Sequence, residues 1–177
     1  MDVKQIRGKV ISSIWQSIIQ SDVDLTTIQH DRQEKMVENI ADGVMKMINS
    51  ILDEEMDDEF NLAENDELSE QLIWKGRPFL SLAENYAITS ERLKIIKGVL
   101  SRDVENFELV RMQDIDYKQG VVERILGVGD ITIRGHDVSD PEIILRNVSH
   151  PEDVYEILRK AWLDARKRHG LEFREFM

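Results

Sequence analysis

The sequence predicts an α+β protein: an N-terminal helical hairpin, then about seven short antiparallel strands, then one long helix. Three observations lead there. Apolar residues near the start recur at helical spacing. From about residue 70 they alternate with polar residues in short runs separated by turn residues. A run beginning His150-Pro151-Glu152-Asp153 then restores the helical period.

Residues 2–20 read as a helix. Val3, Ile6, Val10, Ile14 and Ile18 follow 3–4 spacing, and Ile11, Trp15 and Ile19 widen the stripe past half the circumference. A stripe that wide must bury against more than one neighbour. Ser21-Asp22-Val23-Asp24 ends the helix. A second helix starts near Thr26 or Asp31, since Thr26 with Gln29 and Asp31 with Glu34 both satisfy the capping pattern. Along it Val37, Ile40, Val44, Met47 and Ile51 fall on alternating three- and four-residue steps, a short seam for helix–helix contact. Gly43 inside it costs about 1 kcal/mol relative to alanine unless another backbone packs closely there. The acidic run from Asp53 to Glu59 lacks the spaced ligands and turn glycine of a calcium loop and reads as a solvated helix end entering a linker. The boundary falls at about 56–68, dividing the chain into a hairpin, 1–60, and a strand-rich part with a C-terminal helix and tail, 66–177.

The first strand is expected at 70–75, and Lys75-Gly76-Arg77-Pro78 then turns the chain. Strands at 86–89 and 92–97 are joined tightly through Ser90 and Glu91. Residues 103–109 and 110–118 form two more, with Val110, Met112, Ile115 and Tyr117 pointing inward. Residues 122–126 make one helical turn. Strands at 130–135 and 142–147 follow, with Asp137, Ser139, Asp140 and Pro141 in the turn between them. Gly127 and Gly129 read as turn geometry, because a strand and not a helix follows them. The last helix takes Ser149 as its N-cap, Pro151 early, and Glu152 and Asp153 in the first turn. Val154, Ile157, Leu158, Ala161, Trp162 and Ala165 form its stripe, Arg166-Lys167-Arg168 its cationic end, and Gly170 stops it. The tail from Leu171 to Met177 is apolar enough to pack back onto the body.

The ordered series Leu72-Ile-Trp74-Lys75-Gly76-Arg77-Pro78, Tyr86-Ala-Ile-Thr-Ser-Glu-Arg-Leu93, Arg124-Ile-Leu-Gly127-Val-Gly129-Asp-Ile-Thr-Ile133, Glu142-Ile-Ile-Leu-Arg146 and the helix from His150 resembles the bacterial pleckstrin-homology-like family over residues 68–168. Trp74, Pro78, Gly127 and Gly129 match its pattern best. The resemblance implies a short β-barrel of about seven strands whose open end the last helix plugs, with Trp162 as a plug residue. It implies a binding or scaffolding module and names no ligand.

Composition narrows the function. The chain has 177 residues, no cysteine and a net charge of −12. Without cysteine there are no disulfides, thiol nucleophiles or thiolate metal sites, which fits a reducing compartment. Strong acidity opposes general nucleic-acid binding. The charge is uneven: residues 1–65 hold 6 Lys/Arg against 14 Asp/Glu, residues 66–177 hold 17 against 21. No apolar run approaches the roughly 20 residues of a membrane helix, and Asp2, Lys4, Arg7 and Lys9 break up any signal-peptide pattern. A cytoplasmic protein, able to touch a membrane at its surface, is expected.

No catalytic constellation is written in the chain. His30, His136, His150 and His169 stand apart at no helical metal spacing, and there is no nucleophile elbow or phosphate loop. No enzyme, metal or cofactor is expected. Two binding sets remain. Lys75, Arg77, Arg92, Lys94 and Lys97 cluster around the first strands. In eukaryotic relatives of the fold a basic residue in the first strand or loop and a basic pair in the next strand grip phosphoinositide headgroups, which Lys75 with Arg92 and Lys94 resemble. The seam of Val37, Ile40, Val44, Met47 and Ile51 suits either a hairpin docked on the rest of the molecule or one that pairs with its copy in a dimer. The leading expectation is a non-catalytic module that forms a homo-oligomer, a dimer first, or binds a protein partner. The alternative is a peripheral module for anionic lipid.

Overall fold

A computed structural model describes residues 3–61, 70–98, 103–135 and 142–171, with side chains omitted at 55–61. Two helices come first, α1 (Val3–Gln20) and α2 (His30–Asn61). They precede β1 (Leu72–Gly76), β2 (Glu84–Thr89), β3 (Arg92–Lys97) and β4 (Asp103–Glu108). A 3-10 turn, Leu109–Arg111, leads to β5 (Met112–Lys118), α3 (Val121–Leu126), β6 (Val128–Gly135), β7 (Glu142–Ser149) and α4 (Pro151–Arg168). The acidic run thus continues α2 as far as Asn61. The expected turn at Asp137, Ser139, Asp140 and Pro141, most of the tail, and part of the boundary region lie outside the described residues.

The strands pair antiparallel in two sheets, β1-β2-β3-β4 and β5-β6-β7, and not in one closed barrel. Among the described residues the two sheets meet at one bridge, between Pro78 and Val148, beside which the Phe79 N–H donates to the Asn147 carbonyl at 2.9 Å. Proline has no N–H to extend such a ladder, and at the opposite corner the 3-10 turn separates β4 from β5. The inward rows of both sheets, including Ile88, Leu93, Ile131, Ile133 and Leu145, fill the space between them. Val154, Leu158, Ala161 and Ala165 of α4 close one end, as the i, i+4, i+7 spacing predicts, and Trp162 packs half-buried beside them. Leu158 is fully buried, so trimming it to alanine costs about 2–5 kcal/mol.

Local details follow from sterics. Gly127 ends α3 in the left-handed region at φ 74°, where a side chain is strained. A Cβ on Gly129 would stand 2.7 Å from the Lys118 carbonyl oxygen, so only glycine lets β6 cross there. Ser149 is not the N-cap of α4. It completes the β7 ladder opposite Val128, and His150, at φ 50°, makes the turn while its N–H donates to the Gly127 carbonyl. Tyr117 lies at the rim, 38% exposed, its ring 5.5 Å from that of Tyr155, on the edge strand of its sheet opposite buried Ile131. The other end of α4 is tied to the β2–β3 turn: Arg168 bonds Glu91 and the Ser90 carbonyl, and His169 lies 2.9 Å from Glu91.

The helical hairpin has its own seam with the sheets. Val3 of α1, Met45 of α2, Phe79, Leu126 and Val128 form a second apolar cluster. Arg7 clamps the two helices with a fork to Asp42, at 2.7 and 3.2 Å. Val37, Ala41, Met45 and Asn49, each four residues apart, are the buried face of α2.

Tyr86 spans the main core. It is fully buried on β2, and its hydroxyl accepts the Arg146 N–H of β7 at 3.1 Å. Burial pushes its pKa well above the ordinary value near 10, since the phenolate would lose its hydration. The folded state therefore favours the neutral phenol. That contribution is complete below about pH 10 and is lost as the pH rises above it. Tyr86→Phe leaves the Arg146 N–H without this acceptor and should cost about 1–3 kcal/mol at pH 7. In urea melts from pH 7 to 11 the wild type's advantage over Tyr86→Phe should shrink above pH 10. A constant gap across that range would contradict this account.

Candidate interaction site

Arg77 organises the junction between helices and sheets. It follows β1 in the turn that Pro78 ends, and it is 5% exposed. One guanidinium nitrogen, Nη2, donates to the Asn49 carbonyl at 2.7 Å and to Asn49 Oδ1 at 3.1 Å. Nη1 donates to the Ser81 carbonyl at 2.9 Å. Nε lies 2.9 Å from Asp53 Oδ1, an ion-pair distance without hydrogen-bond alignment. Asn49 Oδ1 also accepts the Leu80 N–H at 2.9 Å, while its Nδ2 donates to Asp53 at 2.9 Å. Burial lowers the Arg77 pKa, and Asp53 opposes that shift. One turn of α2 thereby holds the whole loop between β1 and β2.

The five basic residues separate accordingly. Arg77 points into the junction. Arg92 pairs with Glu70, and Lys97 with Glu105 at 2.8 Å, a bond that raises the Lys97 pKa. Lys75 and Lys94 come together. Both stand opposite Ala87 in the register, one from β1 and one from β3, so all three share the outer face of the sheet. Ala87 is only 2% exposed on that face. Beside them, a cleft of about 310 Å³ opens where α2, β1 and the start of α4 meet. Lys75 and Arg77 line it together with Asp53 and Asp153, so the formal charges of these four cancel.

The seam residues separate as well. Val37 is wholly buried within the hairpin and Val44 is half-buried. Ile40, Met47 and Ile51 are 45%, 59% and 48% exposed, and Met36 extends their row at 36%. Asn49 escaped the sequence reading, and Asp53, read there as part of a solvated acidic run, instead pairs with Arg77 and Asn49. The signal for Asn49 was its place four residues after Met45 on the buried face, where a polar side chain needs a partner. Among the described residues no cluster of three or more His, Asp or Glu could hold a metal, and no helix is long and apolar enough to cross a membrane.

Comparison with known proteins bears on the strand-rich part. A family model described as "Bacterial PH domain" matches residues 72–162. The C-terminal domain of an unknown protein from Leishmania infantum, solved by crystallography, is similar at 20% identity with a TM-score of 0.37, over 58% of this chain and 89% of that one. No curated protein matches the chain.

The junction makes a sharp prediction. Asn49→Ala removes the side-chain acceptor of both Arg77 Nη2 and the Leu80 N–H, and should cost about 1–3 kcal/mol in chemical denaturation. Ser50→Ala, one position on and exposed, should change stability by less than about 0.5 kcal/mol. Equal effects would mean that Asn49 does not join the two parts.

Proposed function

Because this chain belongs to the bacterial PH domain family, we propose that it is a non-catalytic interaction module that associates with itself through its N-terminal hairpin. The observation that carries this reading is the exposed apolar row on α2, Met36, Ile40, Met47 and Ile51. These residues face away from α1 and from the sheets. A contiguous row of large apolar side chains in water is the mark of a surface that meets another protein. The hairpin itself buries little: on α1 only Val3 is buried, and Ile19 is 75% exposed. The natural occupant is a second copy, since closed twofold pairs are the commonest assemblies. A cytoplasmic location suits the cysteine-free, acidic chain.

A second reading rests on Lys75 and Lys94. Two cations on one sheet face can approach an anionic lipid surface, each contributing about 1 kcal/mol near it. The net charge of −12 opposes that approach, so this reading stands behind self-association.

Light scattering coupled to size exclusion should give twice the chain mass at tens of micromolar. Ile40→Asp with Met47→Asp would bury unpaired charge in the contact, at about 3–5 kcal/mol, and should yield a monomer with unchanged helicity. A monomeric wild type would end the self-association reading. For the second reading, sedimentation with phosphatidylserine-containing vesicles should be weak, lost with added salt, and absent from neutral vesicles. Lys75→Glu with Lys94→Glu should remove it. Tight, salt-resistant sedimentation of the wild type would reverse the order of the two readings.

A further inference from the structure

The row on α2 has an internal symmetry that specifies how a second copy sits. We propose that two chains pair antiparallel along α2, with the twofold axis passing between Gly43 and Val44, an inference that rests on the self-association reading above. Counting outward from that point, Val44 answers Gly43, Met47 answers Ile40, and Ile51 answers Met36. A helix reversed about this axis therefore sets these apolar positions against apolar positions of its copy, as suits an isologous contact, with exposed Ile48 meeting Asn39 at the flank. A parallel pairing has no use for this mirror relation.

Two further observations agree. Gly43 lies at the centre of the exposed row, and a Cβ built there would meet nothing within 4 Å. The fold of the single chain thus gives no packing reason for a glycine in mid-helix, where it is unfavourable. A second helix crossing at that point gives one, because a missing side chain lets two backbones approach. Charge is the other observation. Arg32 and Lys35 rim a shallow hollow with Met36 and Ile40 near the start of α2, and neither cation forms an ion pair with the described residues. The far end of the helix carries exposed Glu54 and, in the sequence, Glu55, Asp57, Asp58 and Glu59. Antiparallel pairing lays the acidic end of one helix along the basic rim of the other. Parallel pairing sets two acidic ends side by side, where they repel.

The absence of cysteine makes the test direct. Three variants of the full chain carry one cysteine each: Met36→Cys, Val44→Cys and Ile51→Cys. Under mild oxidation Val44→Cys should form a covalent dimer with itself, because it lies beside the axis. Ile51→Cys should not, since two copies of residue 51 would be separated by roughly 22 Å along the helices. An equal mixture of Met36→Cys and Ile51→Cys should cross-link with each other. Gly43→Leu adds a reading independent of oxidation: it has open space in the single chain, so its thermal melt at high dilution should not fall, while its dimer should dissociate at tenfold or more higher concentration. Self-cross-linking of Ile51→Cys as fast as Val44→Cys would overturn the antiparallel arrangement. A dimer by light scattering that cross-links at none of the three positions would overturn it while leaving self-association intact. A wild type that is monomeric at tens of micromolar would overturn both.

Discussion

The buried guanidinium of Arg77 is the constraint on which the arrangement of the two parts depends. An unpartnered cation 5% exposed would be far too costly to keep. Its partners come from both sides of the junction: the Asn49 carbonyl and side chain and Asp53 from α2, and the Ser81 carbonyl from the loop after β1. Hydrogen bonds tolerate little displacement, so α2 can neither slide nor rotate against the sheets without stranding that charge. The apolar cluster of Val3, Met45, Phe79, Leu126 and Val128 supplies non-directional adhesion beside it. Arg77 supplies the register.

Fixing the rotation of α2 also fixes what it shows to water. With Asn49 and Met45 turned inward, the side of α2 carrying Ile40, Met47 and Ile51 must turn outward. The same interaction that docks the hairpin thus leaves an apolar row in solvent. The seam is therefore divided: Val37 is buried inside the chain, Val44 is half-buried, and Ile40, Met47 and Ile51 are exposed. A guanidinium committed to this junction also leaves the basic group near β1 smaller than the count of cations implies, with Lys75 and Lys94 as the pair that the sheet register brings together.

The two sheets make a frame with few ties between them. Pro78 permits one bridge to β7, Tyr86 carries a hydrogen bond through the core to Arg146, and α4 fastens its far end to the β2–β3 turn through Arg168 and His169. The His169 bond, followed by the Arg168 contacts, holds the Glu91 carboxyl below its ordinary range. That favours the charged carboxylate in the fold, a contribution present at neutral pH and lost as acid protonates the group.

Periodicity and turn chemistry in the sequence determined the order of elements. The strands, the short helix between β5 and β6 and the long last helix were legible because each obeys a local rule: alternation for strands, i, i+4 spacing for helices, glycine and proline at breaks. The family was legible for the same reason, since its pattern is a series of such local signals. Errors fell where local rules meet tertiary ones. Ser149 has the chemistry of an N-cap, yet β7 claims it as a ladder residue, and His150 takes the N-cap position without a side-chain hydrogen bond. Tyr117 has inward parity, yet it sits on an edge strand and stays 38% exposed. The candidate binding residues were legible only as sets. Which members share a face, and which are consumed internally, depended on contacts between segments far apart in the chain: Arg77 with Asn49, Lys75 and Lys94 across Ala87, Val37 against the hairpin's inner side. The physical reason is that a helix or strand pattern determines which residues lie on a common face, but only packing against a partner determines which face is turned to water.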